Sequence, residues 1–205
     1  MGKFEDKKSV KEKGASVSPA RTILEYIHDL VYILAAILVV FTFFVRIVVV
    51  SGSSMFDTLA DGDYLLLVNS PLCGKLEQGD IVVAGMERFK NGEPIVKRVI
   101  ATEGQLVDID FSAGKVYVDG IELDEDYIYT LTTIAEGMQF PLVVEEGCVF
   151  LMGDNRNDSM DSRDPVIGQV DTREILGKAV LLLLPGTGER EYSMDRDFSR
   201  IGGLG

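Results

Sequence analysis

Residues 30–50, LVYILAAILVVFTFFVRIVVV, run straight into residues 51–59, SGSSMFDTL, and this junction decides the architecture. The first stretch carries a single charge, Arg46, over a length that suffices for an apolar helix to cross a hydrocarbon core about 30 Å thick. It is too long for the apolar core of a cleavable leader, and apolar all round where a buried helix of a globular domain would show a polar face. The second stretch opens a domain of different composition. A Gly/Ser turn that presents a hydroxyl and continues into Met55 and an apolar position marks Ser54 as a candidate nucleophile, although short Ser/Gly clusters are usually plain turns.

Working outward, residues 1–26 are polar and mixed in charge, and read as a tail. Residues 27–47 read as one membrane helix, and residues 48–205 as a second domain, with Ile47 to Val50 already entering its first strand. Arg46 at the end of the apolar run can snorkel to the interface. Lys3, Lys7, Lys8, Lys11, Lys13 and Arg21 precede the run, and no Lys or Arg falls between Arg46 and Lys75. The positive-inside rule therefore predicts a single-pass cell-membrane protein with a cytoplasmic N-terminus and an extracytoplasmic domain.

That domain reads as mainly β. Short apolar strands are expected over residues 64–68, 80–84, 95–100, 149–152 and 179–184. A hairpin is expected over 106–118 through Ser112-Ala113-Gly114, with a further turn at Asp119-Gly120. Residues 172–176 read as a short helix, and residues 186–205 as a peripheral tail. With no βαβ rhythm the sheet is predicted to be antiparallel and barrel-like.

Composition removes several classes of chemistry. A formal charge of −13 over 205 residues argues against nucleic acid as a partner. The single histidine, His28, lies before the apolar run, so no Ser-His-Asp or Cys-His site and no His-based zinc site can form in the domain. Cys73 and Cys148 lack a C-x-x-C spacing. They read as ordinary small apolar residues, with one exported disulfide as the alternative. No P-loop or dinucleotide glycine pattern occurs, and no cofactor is called for. An enzyme built from this chain needs Lys, Asp or Glu as its base.

Glu93-Pro94-Ile95-Val96-Lys97-Arg98-Val99-Ile100 places two cations side by side on a strand, one on each face. Two solvated charges are the simple reading. A desolvated lysine is the sharper one, because burial lowers an amine's pKa from ~10.4 toward the range where it can take a proton from a hydroxyl. Arginine stays protonated, which leaves Lys97 as the candidate base. The third element is the polar loop Met152-Gly153-Asp154-Asn155-Arg156-Asn157-Asp158-Ser159-Met160-Asp161-Ser162-Arg163. Arg156 on a would-be ligand position excludes an EF-hand. The loop reads as Asp–Arg pairs, with Ser159 able to orient an amine. Ser112-Ala113-Gly114-Lys115 matches S-x-x-K, but it spans a turn where that motif needs a helix.

Taken together these segments resemble the type I signal peptidases, membrane-bound Ser/Lys endopeptidases, over roughly residues 47–185. The resemblance lies in Gly52-x-Ser54-Met55-x-x-Thr58-Leu59, Gly62-Asp63, Gly79-Asp80-Ile81-Val82-Val83, Val96-Lys97-Arg98-Val99-Ile100, and Val149 to Arg156 continuing through Ser159-x-Asp161-Ser162-Arg163. A single span with an external domain is similar to the compact Gram-positive members. The resemblance implies Ser54 as nucleophile and Lys97 as general base, with Ser159 orienting the amine and Met55 against the substrate. It further implies an oxyanion donor in the Ser54 N–H, and an oxyanion region at Gly52 and Ser53. Arg98, Asp154, Asp161 and Arg163 would be structural charges beside the site. The implied partners are exported preproteins, cut after small residues in an A-x-A pattern, the lipid bilayer, and the secretion translocase.

Three positions depart from the family pattern. Gly52 stands where some members carry a serine whose hydroxyl is a second oxyanion donor. Asp57 replaces the usual Pro, and Ala101-Thr102-Glu103-Gly104-Gln105 replaces the frequent Gly-x-Pro-Gly-Asp. Neither of the last two lies on the implied proton path, so preference or rate is expected to change while activity persists, and Gly52 leaves the second oxyanion donor unassigned. Two rival readings remain at this level: a self-cleaving repressor protease of similar fold, and a non-catalytic assembly factor. The apolar run and acidic charge speak against the first, and the presence of both Ser54 and Lys97 against the second.

Overall fold

The computed structural model describes residues 19–187 and 196–204. The tail expected over residues 1–26 falls outside the described residues up to position 18, and from Pro19 the chain is helical. Helix α1 (Pro19–Phe43) thus begins earlier than residue 27 and stops short of residue 47. Arg21 and Glu25, 3.3 Å apart, form an i,i+4 pair that supports the polar first turns. Arg21–Phe43 is the one helix among the described residues long and apolar enough to span a membrane, and its Ile, Leu, Val and Phe side chains are largely exposed. At its C-terminal end β-branched residues restrict χ1 and favour a strand. Strand β1 (Val45–Val49) accordingly takes Arg46 out of the helix and pairs it with Leu67.

The second unit, residues 41–205, is built from antiparallel strands. After β1 come β2 (Tyr64–Asn69), β3 (Ile81–Ala84), β4 (Ile95–Thr102), β5 (Leu106–Asp110), β6 (Lys115–Val118) and β7 (Ile121–Glu122). Then follow β8 (Leu142–Val143), β9 (Cys148–Met152), β10 (Val170–Asp171), β11 (Ile175–Leu184) and β12 (Gly202–Gly203). The larger sheet has the order β1-β2-β11-β3-β4-β9-β10, with β12 on β11; the smaller has the order β7-β6-β5-β8. The expected fold class is therefore observed. The runs over 64–68, 80–84, 95–100 and 149–152 appear as β2, β3, β4 and β9, whereas β11 begins at Ile175, ahead of the expected 179. Strands β8, β10 and β12 have no counterpart among the expected strands.

Three apolar clusters fill this unit. One joins Met55 and Leu59 to Leu65, Leu67, Ile81, Val83 and Leu182, so the segment after Ser54 is anchored in the large sheet. A second packs Val82, Val99, Leu151 and Ile175. The third carries Ile100, Ala101, Phe150 and Met152 of the large sheet against Val107, Ile109, Val116 and Val118 of the small one. A bulge between Val99 and Ala101 lets Ile100 and Ala101 both join that third cluster. Each such side chain contributes about 1.5–3 kcal/mol when fully buried, so the clusters outweigh any single polar contact.

Local turn chemistry agrees with the strand assignments. Asp119 (φ 53°) and Gly120 (φ 77°) form the two-residue β6–β7 turn, with the paired positive φ values of a type I′ hairpin. The S-x-x-K match lies on the β5–β6 turn, and Lys115 pairs with Glu122 across the next hairpin, 2.7 Å apart. Gly177 lies where a Cβ would sit 2.4 Å from the Val68 carbonyl oxygen, so the close approach of β11 to β2 requires glycine there.

Two local expectations are corrected. Only Thr172–Glu174 is helical, a single 3₁₀ turn capped by the Asp171 carboxylate, which accepts from Arg173 N. Ile175 instead pairs with Ala84 of β3, where ladder hydrogen bonding in β11 satisfies its backbone. Residues 196–204 are not peripheral. Arg200 reaches the fully buried Asp63 carboxylate at 2.7 Å, and β12 pairs with β11. Both cysteines are free thiols. Cys73 Sγ donates to Val68 O at 2.9 Å and accepts from Lys178 N at 3.2 Å.

Candidate active site

The turn after β1 begins at Gly52, whose φ of +92° is the left-handed region that glycine adopts without strain. Its N–H donates to Asp61 Oδ1 at 2.8 Å. Phe56 N donates to Ser53 O and Leu59 N to Met55 O, making the tight helical turn that follows Ser54. Met55, 1% exposed, is the apolar anchor of this turn, and it also forms part of the wall of a cleft of ≈ 580 Å³ beside Ser54. The Phe56–Asp57 peptide is cis, and Asp57 is exposed.

Strand β4 delivers the lysine. Lys97 is 3% exposed, and its Nζ donates to Ser54 Oγ at 2.6 Å. Among the described residues this is the only hydrogen bond of the amine, and no carboxylate lies within the 4.0 Å of an ion pair. Burial lowers the Lys97 pKa to about 8, against the opposing pull of the Asp161, Glu136 and Asp154 carboxylates; Arg163 reinforces the lowering. Near neutral pH an amine of that pKa has a useful fraction of the free base, whereas one at 10.5 has almost none.

Arg98 has partners of its own. Its Nε and Nη2 donate to Asp154 Oδ1 and Oδ2 at 2.9 and 2.7 Å, and its Nη1 donates to Gly79 O at 2.9 Å. Thr58 Oγ1 donates to Asp154 Oδ2 at 2.6 Å, tying the turn after Ser54 to the same ion pair. The guanidinium also lies 4.0 Å from the centre of the Tyr127 ring. A bidentate geometry, with Nη1 also bonded to a backbone carbonyl, helps a buried ion pair offset its desolvation.

The loop after β9 closes the arrangement. Asn155 N donates to Ser54 O at 3.0 Å and Asn155 Nδ2 to Ser53 O at 3.3 Å, while Ser53 Oγ donates to Asp158 Oδ2 at 2.6 Å. Asp161, fully buried, accepts from Gly153 N (3.0 Å), Ser159 Oγ (2.9 Å) and Arg163 Nε and Nη2 (both 2.8 Å). The Ser159 hydroxyl is thus engaged with Asp161. It also packs against Gly153, where a Cβ would fall 2.2 Å from Ser159 Oγ and 2.5 Å from Ser54 O. Arg163 donates further to Arg156 O at 2.6 Å and Ile134 O at 3.2 Å. Arg156, also fully buried, reaches Glu125 and Thr132.

The structure therefore brings Ser54, Lys97, Arg98, Asp154, Ser159, Asp161 and Arg163 into one contiguous site, with Gly52, Ser53 and Met55 in its turn. Sequence reasoning passed over Asn155 and Thr58, although both stand inside the quoted segments, and it missed Glu136 and Tyr127 outright. These last two lie in the irregular connection between β7 and β8, where no periodicity or turn signal indicates which way a side chain faces.

Such an arrangement can activate a hydroxyl for attack on a carbonyl without histidine or metal. Residues 23–184 match the family described as signal peptidase, peptidase S26. The chain belongs to that family. Signal peptidase I T of Bacillus subtilis (strain 168) is 32% identical over 190 residues, covering 88% of this chain and 95% of that one. Probable signal peptidase I-1 of Synechocystis sp. is 33% identical over 182 residues, covering 83% of this chain and 87% of that one. A crystal structure of a signal peptidase I from Enterococcus faecalis V583 is 29% identical, covers 51% of this chain and 96% of that one, and has a TM-score of 0.41. As a signal peptidase the chain is a hydrolase of the S26 class, its family acts on preproteins that carry signal peptides, and its apolar N-terminal helix is consistent with a membrane anchor.

Proposed function

We propose that this signal peptidase removes N-terminal signal peptides from exported preproteins after small residues of A-x-A type, with Ser54 as nucleophile and Lys97 as general base. The observation that carries this is the 2.6 Å contact between Lys97 Nζ and Ser54 Oγ, with the amine buried and its pKa lowered to about 8.

In this mechanism the free amine of Lys97 takes the Ser54 hydroxyl proton as Oγ attacks the scissile carbonyl carbon. The carbonyl π-electrons move to oxygen, and the oxyanion is met by the Ser54 N–H, which carries no protein hydrogen bond among the described residues. Gly52 offers no hydroxyl, and the Ser53 hydroxyl is held by Asp158, so neither supplies a second side-chain donor in the geometry observed. The tetrahedral intermediate collapses, the C–N bond breaks, and the Lys97 ammonium gives its proton to the departing amine of the mature protein. Water, deprotonated by Lys97, then hydrolyses the acyl-enzyme ester and regenerates Ser54.

The cleft of ≈ 580 Å³ that contains Ser54 and Lys97 presents Val48, Val49 and Ile95 together with Glu93 and Asp158, so an uncharged side chain finds apolar contacts there while an acidic one meets like charge. Strand β1 pairs only with β2 among the described strands, so its other edge can take an extended peptide by strand addition. The basic residues before α1 support a cytoplasmic tail over residues 1–26, a span within residues 27–47, and an extracytoplasmic catalytic domain over residues 48–205. There it would meet preproteins as the secretion translocase delivers them.

The test is cleavage of a preprotein with an A-x-A site by the detergent-solubilised chain, beside Ser54→Ala and Lys97→Ala. Wild type should cut after the small residue, and each variant, folded by its thermal melt, should lose activity by about 10³-fold or more. Variants that cut as well as wild type would overturn the assignment.

A further inference from the structure

The carboxylates around Lys97 outnumber the guanidinium groups that face them. Asp154 is matched one-for-one by Arg98, and Asp161 by Arg163. Glu136 is left over. It is half-buried, its Oε1 lies 3.1 Å from an Arg163 Nη2 already committed to Asp161, and its Oε2 accepts from Asp161 N at 3.4 Å. The cluster leads back to the reacting atoms in few steps. Asp161 holds Ser159 and Gly153, and the space beside Gly153 is bounded by Ser159 Oγ and the Ser54 carbonyl.

We propose that Glu136 is a positioning residue for the catalytic base: it is the surplus carboxylate of this cluster, and it sets the pH at which the Lys97 amine is free to act. The proposal rests on the Ser54/Lys97 assignment above. With Asp161 and Arg163 cancelling, the cluster is neutral in two arrangements of a single proton, a Glu136 carboxylate with a Lys97 ammonium or a Glu136 carboxylic acid with a Lys97 amine. Moving that proton from lysine to glutamate leaves the buried charge unchanged, which a low-dielectric site favours over creating an unmatched charge.

The surroundings of both groups fit this exchange. Burial and then Asp161 push the Glu136 carboxyl up to about 7, with Arg163 opposing and Asp164 adding to the rise. Lys97, lowered mainly by burial, is drawn back up by Asp161, then Glu136 and Asp154, while Arg163 acts the other way. Glu136 therefore acts on the Lys97 amine as one of the negative charges that favour its ammonium form.

The experiment is the pH dependence of kcat/KM for preprotein cleavage by the full-length chain in detergent, comparing wild type with Glu136→Gln and Glu136→Asp. Glu136→Gln keeps the shape and removes the negative charge that stabilises the ammonium, so the acid limb should move to lower pH by about one unit. Glu136→Asp retains the charge and should hold the limb at its wild-type position. An unmoved limb, a limb moved upward, or a loss of equal size at every pH in Glu136→Gln would each overturn the proposal. Should thermal melting show Glu136→Gln unfolded, Glu136→Ala carries the same expectation and the same overturning results. Lys97→Ala separates the two assignments: if it stays active the Ser/Lys reading falls, whereas a dead Lys97→Ala with an unmoved Glu136→Gln limb overturns the Glu136 role alone.

Discussion

Lys97 shows what a buried base does to the protein that holds it. Its folded pKa of about 8 lies below the ordinary 10.5, so between these values the unfolded chain binds more protons than the native one. Unfolding free energy then rises with pH across that window, and below pH 8 the native state carries the burden of a buried cation. At 1.36 kcal/mol per pKa unit the effect is about 3 kcal/mol at neutral pH. Lys97→Met is expected to abolish activity, to be more stable than wild type at pH 7, and to lose the upward slope between pH 8 and 10. Urea unfolding of both proteins at several pH values measures this, and parallel curves would contradict it. The residue proposed to make the hydroxyl reactive therefore weakens the fold, and the apolar clusters around the site offset that burden.

At the scale of elements, the site depends on segments far apart in the chain. Strand β4 carries Lys97 and Arg98, the turn after β1 carries Ser54, and the loop after β9 holds that turn through Asn155. The C-terminal segment acts on the same turn from the other side. Asp63, fully buried, accepts from Ala60 N at 2.8 Å, Gly186 N at 2.6 Å and Arg200 Nη2 at 2.7 Å, and Arg200 Nη2 also donates to Thr58 O at 3.1 Å. Arg200→Met should leave Asp63 without its cation and lower stability by about 3 kcal/mol, since removing one partner strands a buried charge. Cleavage activity should fall with it, because Thr58 and Ala60 belong to the turn that carries the proposed nucleophile, Ser54. Thermal melting and cleavage rates measured together check this, and an unchanged melting temperature would show that the C-terminal contact is dispensable.

For the whole molecule, the proposed orientation makes a topological prediction. Single cysteines placed at exposed positions of the β unit, in a chain with Cys73 and Cys148 replaced by Ala, should react with a membrane-impermeant maleimide in intact spheroplasts. A cysteine at position 8 in the N-terminal tail should react only after lysis. The reverse pattern would invert the orientation and remove the site from the side where exported preproteins emerge. Formal charge of −13 fits this picture as a solubility device for an exposed domain, and it gives no attraction to nucleic acid.

Much of this was legible in the chain itself. A long uncharged run, strands bounded by Gly, Asn and Pro, and the Asp119-Gly120 turn follow from local physics, because transfer of apolar groups, strand alternation and positive-φ turns depend on near neighbours in sequence. The lack of a histidine in the domain leaves Lys, Asp or Glu as a base, the apolar strand favours Lys97 over Arg98, and the family resemblance implies its pairing with Ser54. Tertiary structure alone decided how deeply Lys97 is buried and which hydroxyl it meets. It also decided that Ser159 turns to Asp161, that residues 196–204 return to clamp Asp63, and that Glu136 joins the cluster from an irregular segment. Desolvation and charge matching are sums over groups brought together by folding, and no local pattern of residues carries such sums.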